Sequence, residues 1–172
     1  MAWEMYLREN AKFLFNGSNN MYSVENILSL SDINKLLEVS SLLTPEYKEN
    51  YYNLHNVYYS HVFSKYHYLS PFEKLNAAVA ERKIRNHYIL TYQEGSYTRI
   101  HQDHDVAAKT VVTLLHATDD LMGGECIFYG KNNCPVIHNM SVGESVIYDQ
   151  SVFHGVGLVK TGCRTVLVSW YY

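Results

Sequence analysis

Arg164-Thr165-Val166-Leu167-Val168-Ser169-Trp170 is the run from which the class of fold follows. Thr165, Val166, Val168 and Trp170 favour a strand, and with a period of two Arg164, Val166, Val168 and Trp170 share one face. An arginine on an otherwise apolar face needs a partner, because an unpaired buried charge is costly. Its planar fork matches a carboxylate, so a ligand carboxylate would satisfy it; the competing reading is a strand-end arginine whose head reaches solvent. Upstream, Ile84 to Tyr92, Lys109 to His116, Glu125 to Tyr129 and Ser145 to Tyr148 are further short runs rich in β-formers. Turn-forming clusters such as Gly123-Gly124 and Lys131-Asn132-Asn133 separate them, and Gly143 suits a turn before Ser145. Leu54 to Val62 reads as an additional N-terminal strand.

Helical signals lie earlier. Residues 31–43 predict a helix that Ser31 can cap, with Ile33, Leu36, Leu37 and Leu43 on one stripe and Pro45 soon after its end. Pro71 to Arg82 predicts a second helix, with Pro71 at a tolerated first position and Leu75, Ala78 and Val79 facing inward. Helices first and strands afterwards indicate an α+β, mainly β chain: a β-sandwich or barrel with N-terminal helices packed on one sheet. A length of 172 residues suits a single domain, 1–172. About 1–82 would supply helical support and N-terminal strands, and about 83–172 the β core.

Hydrophobic residues make up 47% and charged residues 18%, so the chain is globular rather than disordered. A net charge of −3 with no basic stretch argues against a nucleic-acid partner. No apolar run approaches a membrane span, and Met1-Ala2-Trp3-Glu4-Met5 lacks the character of a signal peptide. Cys126, Cys134 and Cys163 lack paired metal-type spacing and read as reduced thiols of a cytoplasmic protein. Many of the sixteen tyrosines fall between Tyr47 and Tyr68, where amphipathic packing is the favoured reading over a recognition surface.

His101-Gln102-Asp103 carries the chemistry. In an extended segment alternate side chains share a face, their Cα atoms about 6.6 Å apart, so one imidazole and one carboxylate can converge on a cation. Two histidines and a carboxylate on one face of an octahedron form the facial triad of non-haem Fe(II) oxygenases, which leaves three positions for a bidentate 2-oxo acid and O2. Alone, His-x-Asp is a weak signal. The second histidine must come from a distant strand, and His154 in Val152-Phe153-His154-Gly155-Val156 follows a turn-like Asp149-Gln150-Ser151, ten positions before Arg164.

Tyr92-Gln93-Glu94-Gly95, His101-Gln102-Asp103, Gly123-Gly124-Glu125, His154 and Arg164 occur in the order found in the 2-oxoglutarate/Fe(II)-dependent dioxygenases of the prolyl-4-hydroxylase type, which residues 92–172 resemble. The ending from Arg164 through Trp170-Tyr171-Tyr172 is similar to the closing strand of the peptidyl prolyl hydroxylases, and Val24-Glu25-Asn26-Ile27-Leu28 more weakly resembles that family's opening. The resemblance implies a double-stranded β-helix of jelly-roll, cupin-like form. It implies Fe(II) held by His101, Asp103 and His154, and 2-oxoglutarate held by Arg164 with a hydroxyl from Tyr92 nearby. O2 would be the oxidant, with succinate and CO2 as co-products. His116-Ala117-Thr118 departs from the Tyr and Leu-Asn of the family, which leaves the second co-substrate ligand open, with His116 and Thr113 as candidates and neither assigned.

The implied reaction is hydroxylation of an unactivated C–H bond, with a peptidyl proline as leading substrate and a free amino acid or small metabolite as runner-up. Base-repair relatives carry another Arg six residues after the co-substrate Arg, where this chain has Trp170. A catalytically silent binding module is the non-enzymatic alternative. Asp103 leaves no free ligand position for halide, against a halogenase. Asp105 shares the parity of His101 and is a rival carboxylate, His104 should face away, and His138 rivals His154 but has Tyr148 where an Arg would be needed. His55, His61, His67 and His87 read as ordinary polar residues.

Overall fold

The computed structural model describes residues 21–79, 83–104, 106–130 and 134–172. Along them run β1 (Tyr22–Glu25), α1 (Leu30–Ser41), β2 (Glu46–Tyr51), β3 (Leu54–Val62), a 3-10 turn (Ser64–Tyr66), α2 (Ser70–Ala78) and β4 (Ile84–His101). There follow β5 (Lys109–Ala117), β6 (Cys126–Tyr129), β7 (Pro135–His138), β8 (Ser145–Asp149), β9 (Phe153–Val156) and β10 (Cys163–Tyr171).

The strands join in the order β1-β8-β5-β10-β4-β9-β6-β7, with β3 on β4 and β2 on β3, and every paired strand is antiparallel. β4 is the hinge of the design. Its residues from Ile84 to Gln93 pair with β10, whereas Thr98 and His101 pair with β9. The sheet therefore curls over itself, and Tyr22 on β1 stacks on Phe128 of β6 at 4.1 Å although the two strands stand far apart in the hydrogen-bonded order. This is the mainly β jelly-roll expected from the sequence.

Alternation along the central strands creates two cores. Ile89, Val111, Ile147 and Leu167 face Ile33, Leu36, Val39, Phe72 and Leu75 of the helices. Tyr88, Leu90, Val112, Leu114, Val166 and Val168 face inward against Phe128 and Val146. The helices thus stiffen one layer while the space between the layers is left to the site.

Local details differ from the sequence reading. Ser29, not Ser31, caps α1: its hydroxyl accepts from the Asp32 amide while its own amide donates to Asp32 Oδ2 at 2.9 Å, a reciprocal box that Ser31 cannot form. Ala78 is exposed, and Phe72, fully buried, fills the place beneath α2. That helix ends at Ala78, and residues 80–82 lie outside the described residues. β4 runs on to His101, but Gln93-Glu94-Gly95-Ser96 bulges out of the β3 ladder as its turn-like composition suggests: the register passes from Val57 opposite Tyr92 to His55 opposite Tyr97, Gly95 has φ +84°, and Asn56 donates to the Gly95 carbonyl. Strands β1, β2, β7 and β9 carry too few β-formers to stand out. Of the tyrosines between 47 and 68, Tyr58, Tyr59 and Tyr66 are half-buried, whereas Tyr47, Tyr51, Tyr52 and Tyr68 are exposed, so packing explains only part of the cluster. No helix among the described residues is long and apolar enough to cross a membrane.

His87 lies fully buried between α2 and the sheet, its Nδ1 2.7 Å from Ser169 Oγ, and burial lowers its pKa to about 3. Below its ordinary value of 6.5 the unfolded chain binds a proton that the native chain refuses, so stability falls as pH drops toward 3. His87→Asn should flatten this part of the acid slope in denaturant titrations; an unchanged slope would remove His87 from the account.

Candidate metal centre

The site is built where β4 meets β9. His101, the last residue of β4, is the direct cross-strand partner of His154 on β9, and their ring centroids lie 4.3 Å apart. Gly155 permits the approach, since a Cβ there would stand 2.8 Å from the Thr98 carbonyl oxygen. Beyond His101 the chain turns, with the Asp103 carbonyl accepting from the Val106 and Ala107 amides, and this turn aims the Asp103 side chain back at the two rings.

Each imidazole is oriented from behind. His101 Nδ1 lies 2.8 Å from the Arg99 carbonyl and His154 Nδ1 lies 3.0 Å from that of Val152. A carbonyl can only accept, so each Nδ1 carries hydrogen and each neutral ring presents the lone pair of Nε2. These Nε2 atoms lie 3.4 Å from Asp103 Oδ1 (His101) and 3.7 Å from Asp103 Oδ2 (His154). One donor atom from each of the three residues lies within 4.8 Å of the others, a set able to hold a cation. Burial pushes His154 down to about 4, so its ring is neutral near pH 7. For Asp103 burial acts upward, but the His101 and His154 rings and the Thr110 hydroxyl outweigh it and hold the carboxyl below its usual range. Thr110 Oγ1 donates to Asp103 Oδ2 at 2.6 Å.

The same pocket extends from this cluster to Arg164 between walls that include Tyr88, Leu90, Tyr92, Val112, Val166 and Trp170. Arg164 is 3% exposed, and no carboxylate pairs with it among the described residues. Among the described residues, Nη1 donates to the Gly124 carbonyl, Nη2 meets only Met140 Sδ at 3.6 Å and Cys126 Sγ at 3.9 Å, and Nε has no partner. Sulfur is a weak acceptor, so a buried cation is left short of oxygen ligands. Gly123 and Gly124, at φ +83° and +72°, make the expected turn and bring the Gly124 carbonyl to the guanidinium. Tyr92 places its ring 5.7 Å from Arg164 Cζ, and its hydroxyl is 2.7 Å from Thr98 Oγ1, with burial raising the phenol to about 12.

No protein-family model matches the chain, and no curated protein matches it in sequence. Solved structures do. An oxidoreductase of the 2OG-Fe(II) oxygenase family from Burkholderia pseudomallei aligns with TM-score 0.75 and 15% identity over 96% of this chain and 90% of its own. A prolyl hydroxylase from Trichoplax adhaerens, solved with a hypoxia-inducible-factor peptide fragment, aligns with TM-score 0.66 and 14% identity over 100% and 93%. A non-haem α-ketoglutarate-dependent epimerase of nogalamycin biosynthesis aligns with TM-score 0.66 and 13% identity over 90% and 78%. The fold is that of the 2OG-Fe(II) oxygenases. Such identities carry architecture, and the chemistry must be argued from the side chains.

On this oxygenase fold, His101, Asp103 and His154 come together as expected, and Arg164 and Tyr92 lie side by side on the wall of their pocket. Thr113 and His116 do not line it: Thr113 faces the helices, 2.7 Å from Ser145 Oγ, and His116 is exposed. His104 is exposed and His138 stands by Glu144 at 3.3 Å, away from the cluster. Asp105 lies outside the described residues. Thr110, Thr98, Cys126 and Met140 escaped the sequence reading. Parity with Val112 and Leu114 was the available signal for Thr110; the two sulfurs offered none.

Proposed function

We propose that the chain is an Fe(II)- and 2-oxoglutarate-dependent dioxygenase that hydroxylates an unactivated C–H bond. The observation that supports this most is one pocket with a His-Asp-His cluster at one end and a buried arginine short of oxygen partners at the other. The donor set is that of a non-haem Fe(II) facial triad, and the guanidinium fits the distal carboxylate of a 2-oxo diacid. Fe(II) with 2-oxoglutarate and O2 supplies the oxidising power, releasing succinate and CO2. The protein contributes the rest: His101, Asp103 and His154 fix three ligand positions, Arg164 orients the co-substrate beside Tyr92, and the apolar walls exclude water.

A proline within a peptide is the substrate we favour, supported by the sequence resemblance to prolyl hydroxylases and by the peptide bound to the Trichoplax relative. The epimerase neighbour lends weight to a small metabolite as the alternative. Free Cys126 and Cys163 suit a reducing, cytoplasmic setting.

Anaerobic addition of Fe(II) and then 2-oxoglutarate should produce a visible charge-transfer band that His101→Ala removes. Folded protein that yields no band would sink the reading, and a positive result justifies screening proline peptides against free amino acids for succinate release.

Thr110→Val should weaken Fe(II) binding by about 10–100-fold, as loss of a ligand's outer hydrogen bond does. Thr110→Ser should recover most of it. Equal affinities in titration would mean that Asp103 is held by its turn alone.

A further inference from the structure

Five rings run without interruption from the pocket to the surface, across β10, β4, β3 and β2 and the residue that follows. Trp170 and Tyr88, both on the pocket wall, lie 4.9 Å apart. Tyr88 stacks on Tyr59 at 5.2 Å, Tyr59 reaches Tyr51 at 6.3 Å, and Tyr51 meets Tyr52 at 4.7 Å. Tyr88 is 7% exposed and Tyr52 84%, so the series leads from the interior into water.

Indole and phenol are the side chains most readily oxidised by one electron when a strong oxidant stands nearby, and rings in contact pass such a vacancy from one to the next. We propose that this series conducts oxidising equivalents out of the pocket when O2 and 2-oxoglutarate react at the metal without substrate, sparing the metal ligands. The proposal rests on the oxygenase reading above.

The electron balance is simple. Tyr52 loses one electron, which moves ring by ring to lower the two-electron oxidant at the metal by one step and leave the metal as Fe(III), and its phenolic proton goes to water, so each chain contributes one such turnover. Two such rings on two chains then join by a carbon–carbon bond, their ring hydrogens returning to the phenolic oxygens. The direction of travel follows from the surroundings. Tyr88 is buried and Tyr59 half-buried, so neither has the ready access to water that would take up its proton and trap the vacancy. Lys48 Nζ lies 4.6 Å over the Tyr51 ring and disfavours a positive vacancy there. Tyr51 is 41% exposed and Tyr52 84%, so Tyr52, in contact with its neighbour, is the ring of the series most open to water.

Substrate-free turnover of the purified chain with Fe(II), 2-oxoglutarate and O2, with catalase present, tests this by dityrosine fluorescence and peptide mapping of the cross-link. The wild-type chain should yield dityrosine involving Tyr52. Tyr59→Phe, which keeps the ring's shape, should lose the cross-link while succinate continues to form. Tyr68→Phe, an exposed tyrosine outside the series, should leave the cross-link in place. Cross-linking that persists in Tyr59→Phe, or that maps equally to Tyr68, would overturn the path, as would succinate with no cross-link in the wild type. No succinate from any of these proteins would overturn the path by removing the substrate-free reaction it needs, while the anaerobic charge-transfer band decides the oxygenase reading separately.

Discussion

Asp103→Ala is expected to abolish succinate formation and to leave the chain folded. The carboxylate is 2% exposed and bridges two rings that have no other acid among the described residues at their metal-facing atoms. Removing it takes away both the negative charge and one of three ligand positions, and the remaining histidines can offer only two neutral donors. The fold should survive because Asp103 sits past the end of β4, outside both apolar cores, and the change relieves a buried charge while leaving only the Thr110 hydroxyl without its acceptor. The decisive measurement pairs Fe(II) titration with near-ultraviolet circular dichroism. A native spectrum with Fe(II) affinity and turnover intact would move the carboxylate role elsewhere, with Asp105 first in line.

Arg164→Ala should lose about 2–5 kcal/mol of 2-oxoglutarate binding, the usual loss when one partner of a buried charged pair is truncated, while Fe(II) affinity changes little. Arg164→Lys keeps a charge without the fork, so it should restore part of the loss at most. The contrast between ligands separates this role from general damage to the pocket. Fe(II) and 2-oxoglutarate weakened equally would indicate that Arg164 supports the walls, through Gly124 and Tyr92, rather than the co-substrate.

Much of this arrangement was legible in the chain. Arg164, Val166, Val168 and Trp170 do face one pocket, because β10 lies centrally between β4 and β5 and strict alternation is enforced from both sides. The ordered histidines and aspartate were legible through the family resemblance, since His-x-Asp alone is a weak signal; the structure adds that the three side chains converge. The passage of β4 between layers was only half legible: Gln93-Glu94-Gly95-Ser96 does leave the ladder like a turn, but pairing with β3 resumes at Tyr97 and Thr98 and the strand runs on to His101. Nor was the cap at Ser29, which depends on a reciprocal bond that composition offers to several serines. Short strands such as β7 and β9 exist because their neighbours recruit them, and local preference does not reveal that.

The position of His101 and His154 on adjoining strands couples ligand occupancy to the integrity of the whole molecule. In the denatured chain these residues are separated by the full length of β5 to β8, so the three-ligand cage exists only in the native form. A cation that binds one form and not the other shifts the unfolding equilibrium, by about 2.7 kcal/mol at a hundredfold excess over its dissociation constant. Fe(II), or a redox-inert surrogate such as Mn(II), should therefore raise the melting temperature, and a chelator should reverse the gain. The cation would act as a clasp between β4 and β9, so starvation for iron would shorten the protein's lifetime as well as silence it.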